Sequence, residues 1–208
     1  MKGVLEAAAP GLRAQFHATQ ALLKSIAEGA SADVVLLTAE GIGQLAAAGK
    51  VLPATRVELG SSGVGIAVRK GAPKPRIGSL QQLKDTLLGA ESVAHSRMGA
   101  SGLYFAELLE RLGIADKLKK RIIVDKGPVA ARVVSGEAQL GAQLLCELAP
   151  VPGIDIVGPL PPEVQKHYAF CAAVMKASNN QDAARAFIDF LRTEPVRAAM
   201  RRNLLEPA

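Results

Sequence analysis

Aromatic residues are scarce in this sequence. It has no tryptophan, two tyrosines and five phenylalanines among 208 residues. That argues against a nucleic-acid surface, which needs stacking platforms interleaved with clustered cations; here the Lys and Arg are scattered. Cysteine is scarce too. Cys146 and Cys171 stand apart, with neither CxxC nor zinc-ligand spacing. They read as two buried free thiols, although the spacing leaves a disulfide between them open. The three histidines fall in no ligand pattern. There is no P-loop and no serine–histidine–aspartate set in a recognised order. Neither a metal nor a cofactor is expected. No apolar run approaches the roughly 20 residues of a membrane-spanning helix. The start, MKGVLEAAAPGLRAQF, has an Ala-rich stretch that Glu6 and Pro10 interrupt. It reads as a helix of the folded protein and not as an export signal.

What is present is a chain with 49% hydrophobic residues and a formal net charge of +6. Its length suits one large domain or two smaller lobes, either able to bury a core made of Ala, Leu and Val. A weakly basic balance of this kind suits a small acidic ligand.

Along the chain, helices are expected at Lys2–Phe16, Thr19–Glu28 and Ala39–Ala48, with a strand at Asp33–Leu37 between the last two. GVGIAVR at Gly63–Arg69 is β-rich, and GAPKP at Gly71–Pro75 then breaks the chain. After it come a helix begun by Ser79, a strand ending near His95, and a helix from the turn at Ser96–Gly102 to Gly113. A strand at Arg121–Val124, a helix at Pro128–Val134 and a strand at Ala138–Leu144 follow. A strand near Ile154–Val157 precedes a second break, GPLPP. A strand at His167–Lys176 and helices at Gln181–Leu191 and Pro195–Arg202 close the chain. Alternating strands and helices predict an α/β fold, with parallel-rich sheets covered by helices. The two breaks suggest a middle lobe, 73–158, inserted into an outer lobe of 1–72 and 159–208.

The turn Ser96-Arg97-Met98-Gly99-Ala100-Ser101-Gly102 is the first candidate site. A small-residue turn that delivers a strand into a helix leaves backbone N–H groups unpaired, and the helix dipole adds positive charge there. A small anion fits such a place. An ordinary capped turn has the same sequence signature.

In order along the chain, DVVLL, AEGIGQLAAAGKV, VGIAVRKGAPKP, GASGLYFAELLERLGIADKL, GEAQLGAQLLCEL, PGIDIVGPLP and AARAFIDFLRTEPVRAAM resemble the periplasmic molybdate-binding-like proteins. These are substrate-binding components of ABC transporters with the two-lobed type II fold. The resemblance implies a periplasmic protein that holds a molybdate-like oxyanion or a carboxylate between lobes, with a transporter permease as partner. It also marks departures. The family's signal and first strand have no counterpart before Met1, and a second strand and a Gly/Ser-rich loop are reduced to the stretch around Thr19. The outer lobe is therefore expected to lack strands and to be covered by a second copy of the chain or by rearranged N-terminal helices, because open sheet edges are seldom left bare.

By the same resemblance, three helix starts would supply the site: His17–Gln20, Ser96–Gly102 and Lys126–Val129. Thr19, Ser96, Ala100, Ser101 and Val129 contribute hydroxyl or backbone donors. Arg97 is either a carboxylate fork or a solvated loop residue. Ser101 serves as cap, ligand contact or both. Lys126 and Arg132 read as surface charges. Gln143 falls where the family brings a strand end to the ligand, beside an apolar Leu144 where molybdate binders often carry tyrosine, which points to a carboxylate. Tyr168 either reaches the ligand or packs. A few relatives isomerise tricarboxylates such as aconitate; here a base would have to be His95 or Glu147. A structural role for His95, and a chain that has lost its ligand, are the remaining alternatives.

Overall fold

A computed structural model describes residues 12–208. Most of the expected helix at Lys2–Phe16 lies outside them. Its described end, Leu12–Phe16, is not helical. Arg13, Gln15 and Phe16 are all exposed, so this stretch buries no apolar stripe that would favour a helix.

The chain forms two compact units, 1–61 with 168–208, and 62–167. In the first, α1 (Thr19–Ala27) precedes β1 (Val34–Thr38) and α2 (Ala39–Ala47). Thr38 caps α2 by accepting a hydrogen bond from the Gly41 N–H at 3.3 Å. β1 pairs antiparallel with β7 (His167–Val174), Val34 opposite Val174 and Thr38 opposite Phe170. Ile26, Leu37, Ile42, Leu45, Cys171 and Met175 form the core between this pair and the helices. The unit closes with α7 (Gln181–Leu191), α8 (Glu194–Arg202) and β8 (Glu206–Pro207). β8 pairs with Gly60 and Ser61 in β2 (Val57–Arg69). A Cβ at Gly60 would lie 2.3 Å from the Glu206 carbonyl oxygen, so this pairing requires glycine.

The second unit is built on the remainder of β2. That segment pairs antiparallel with β5 (Leu140–Leu144) on one side and β6 (Ile154–Pro159) on the other. β3 (Val93–Ser96) lies parallel between β5 and β4 (Arg121–Val124). Both faces of β3 and β5 are buried, as parallel strands require. α5 (Val129–Ser135) covers one face through Val129 and Val133 against Ala94 and Val124. α3 (Leu80–Gly89) is capped by Ser79, whose hydroxyl accepts from the Gln82 N–H. α4 (Ala100–Arg111) buries Phe105, Leu108 and Leu109, and packs against β3 and β5. The alternation expected from the sequence is observed, with an extra short helix α6 (Leu145–Leu148).

Tyr104 on α4 is buried and donates to the Val164 carbonyl at 2.6 Å. Tyr104→Phe leaves that carbonyl without its donor. It is expected to cost about 1.5 kcal/mol, lowering the thermal midpoint by roughly 3–6 °C in a chain of this size. Calorimetry of the two proteins checks this.

Candidate functional site

The parallel strands β5, β3 and β4 end side by side, His95 opposite Ala142 and Ser96 opposite Val124. Each strand end turns directly into a helix at this edge: β3 into α4, β4 into α5 and β5 into α6. Ligands of open α/β sheets bind outside the carboxyl ends of the strands for this reason.

The β3–α4 turn spans three residues, Arg97 to Gly99. The Ser96 hydroxyl accepts from the Gly99 N–H at 2.9 Å. A Cβ at Gly102 would lie 2.0 Å from the Ser96 carbonyl oxygen, so the first turn of α4 sits directly on the strand end. The first hydrogen bond within α4 runs from the Leu103 N–H to the Gly99 carbonyl at 3.0 Å. The N–H groups of Ser101 and Gly102 precede it and have no partner within the helix. Ser101 is 2% exposed, and among the described residues its hydroxyl makes no hydrogen bond.

Arg97, at the mouth of this turn, donates from Nε to the Asp125 carboxylate on the β4–α5 loop. Both side chains are more than half exposed. A pair this open is worth about 0–1 kcal/mol, so a ligand carboxylate can replace Asp125 with little loss. Asp125 was not legible as a site residue, because no spacing links it to Arg97 28 positions earlier. Lys126 is exposed, and Arg132 pairs with Glu137 at 3.0 Å at the surface.

Gln143 bridges two elements. Its Oε1 accepts from the Ala130 N–H at 3.4 Å, and its Nε2 donates to Oε2 of Glu147 at 2.9 Å. Crowding by protein pushes the Glu147 carboxyl up from its ordinary pKa, and the bond from Gln143 opposes this. Glu147 keeps a solvent-exposed surface, so it is crowded without being enclosed. Its neighbour Cys146 is a free thiol whose pKa burial pushes up to about 11, leaving it un-ionised and unreactive near neutral pH. Cys171 is also free.

Ser96, Arg97, Ala100, Ser101, Val129 and Gln143 thus gather at one sheet edge. Val129 is fully buried and offers only its backbone there. Thr19 and Tyr168 belong to the other unit. Thr19 opens α1, with its methyl group beside Gly41, and Tyr168 is 6% exposed on β7. Among the described residues no group of three His, Cys, Asp or Glu side chains is placed to hold a metal ion. No helix there is long and apolar enough to cross a membrane.

His95 is buried at this sheet edge. Its ring is buried, 5.8 Å from Phe105, with Nδ1 3.2 Å from the Ser96 carbonyl and Nε2 without a partner. Burial holds its pKa below 6.5, with the Arg121 and Arg97 charges adding to the effect and the Ser96 carbonyl opposing it. Between that lowered pKa and 6.5 the unfolded chain binds more protons than the fold. Stability from this residue is therefore present above pH 6.5 and lost as the pH falls through the window. Glu147 contributes with the opposite sign. The difference in thermal midpoint between the native chain and His95→Asn, followed from pH 7.5 to 5, isolates His95. It is expected to shrink on acidification.

The family of bacterial extracellular solute-binding proteins matches residues 10–203. Over 190 residues the chain is 40% identical to a Pseudomonas protein named aconitate isomerase, covering 90% of this chain and 72% of that one. The periplasmic molybdate-binding protein of Azotobacter vinelandii has a TM-score of 0.77 at 19% identity, over 98% of this chain and 90% of the other. A sulfate-binding protein of Mycobacterium tuberculosis gives 0.68 at 22%, over 92% and 74%. The two structural likenesses show the fold, the two-lobed α/β architecture of type II periplasmic binding proteins.

Proposed function

The chain belongs to the bacterial extracellular solute-binding protein family, and on that premise we propose that it binds a small multivalent carboxylate at the strand-end edge of the 62–167 unit, as the substrate-binding component of an ABC-type transporter. The observation that carries the reading is the β3–α4 turn, where unpaired N–H groups and the Ser101 hydroxyl converge on a helix start. Such donors bind an anion without a full countercharge. Arg97 adds a planar fork that matches a carboxylate, held in place by an exchangeable partner. The apolar Leu144 favours a carboxylate over molybdate, as does the name of the 40% identical relative. Titration calorimetry with cis-aconitate, trans-aconitate, citrate, sulfate and molybdate tests this. The carboxylates are expected to bind, and Ser101→Ala to weaken them about tenfold, the value of one hydrogen bond to a charged ligand. Preference for molybdate, or an unchanged affinity in Ser101→Ala, overturns it.

A second reading is favoured by the same relative: the bound tricarboxylate is also isomerised. Glu147 is the candidate base. Its raised pKa brings it closer to the working pH of a group that removes a proton from a carbon beside a carboxylate and returns it to another. With His95 buried and neutral, Glu147 is the group at this edge suited to the task. Interconversion of cis- and trans-aconitate, followed by proton NMR, separates a binder from an isomerase.

A further inference from the structure

We propose that the unit of residues 1–61 and 168–208 carries a second anion site, an arginine-lined cavity that takes a small oxyanion with two or more negative charges. The cavity, of about 330 Å³, is lined by Arg56, Arg192 and Arg197, with Glu58, Leu191 and Ala208 among its other walls. Three separate elements bring these arginines to the cavity. Arg56 precedes β2, Arg192 follows α7, and Arg197 lies in the first half of α8.

The chain answers these charges only weakly. Arg192 lies 3.8 Å from Asp189, and Arg197 lies 3.9 Å from Glu194. Both separations are beyond hydrogen-bond range. Glu194 is already engaged by Arg201 at 2.7 Å, and that bond holds its carboxyl below the usual range. Among the described residues Arg56 has no ion pair. Among the side chains that line the cavity, Glu58 is the single carboxylate against three arginines. Arginine forks match the oxygens of phosphate and carboxylate groups in pairs, so the site selects a multivalent oxyanion of small size. Leu191, itself fully buried, backs the cavity.

The test is titration calorimetry of the whole chain at low ionic strength, with pyrophosphate as the probe. A binding event is expected that survives Ser101→Ala and weakens at least tenfold in Arg192→Ala/Arg197→Ala. Circular dichroism and an unshifted melting curve establish that the double variant is folded. Arg56→Gln, at an exposed position, gives an independent reading should the double variant fail that check, and is also expected to weaken binding. Arg197→Lys is expected to recover only part of the affinity, because a point charge replaces a fork. The proposal is overturned if the folded arginine variants bind like the native chain, if Ser101→Ala alone abolishes the event, or if the native chain does not bind the probe.

Discussion

Gly102→Ala is expected to abolish anion binding and to lower the thermal midpoint by roughly 6–12 °C, at 2–4 °C per kcal/mol in a chain of this length. The added methyl would stand 2.0 Å from the Ser96 carbonyl oxygen and 2.7 Å from its carbon, both backbone atoms that cannot swing aside. Relief requires the first turn of α4 to lift from β3. Overpacking of this kind costs about 3 kcal/mol. Lifting that turn also displaces the N–H groups of Ser101 and Gly102 at the proposed anion site, so binding and stability are expected to fall together. Gly43 is the control. It lies inside α2, and a Cβ there would meet nothing within 4 Å. Gly43→Ala is expected to stabilise the chain by about 0.5–1 kcal/mol through helix propensity, with binding unchanged. Melting curves of both variants check the pair of outcomes.

On the isomerase reading, Glu147→Gln is expected to reduce aconitate turnover by about 10²–10⁴-fold, the usual contribution of a positioned general base, while binding is retained or tightened. The amide keeps an acceptor for the Gln143 Nε2 bond and so preserves the local geometry. It removes a carboxylate that repels an incoming polyanion. In the native chain that repulsion fades as the pH falls through the raised pKa of Glu147, so affinity is expected to rise on acidification. The variant is expected to lose this pH dependence. Equal turnover in the two proteins would remove Glu147 from the chemistry. Equal pH profiles of binding would remove it from the anion's surroundings.

Much of the fold was legible where local signals and burial agree. Arg121–Val124 and Gln181–Leu191 appear with the expected bounds, and Ser79 caps its helix as its position suggested. β2 is longer than expected. Its first half, Val57–Ser62, includes Gly60, Ser61 and Ser62, which resemble a turn in sequence. The glycine is explained only by its close approach to Glu206, nearly 150 positions later. β8 has two residues and so no periodicity to read. The turn at the start of α4 was legible as a small-residue stretch entering a helix. The pairing of Arg97 with Asp125, and of Gln143 with both Ala130 and Glu147, depends on which strands lie adjacent. The buried state of His95 likewise follows from its packing against Phe105.

The most direct test of the central claim is the change in backbone amide ¹⁵N and ¹H shifts when cis-aconitate is added. The largest changes are expected at Ser101 and Gly102, with smaller ones at Ala130 and in the Gln143 side-chain amide. Saturating changes confined to other parts of the chain, or none at millimolar ligand, would contradict an anion site at the start of α4.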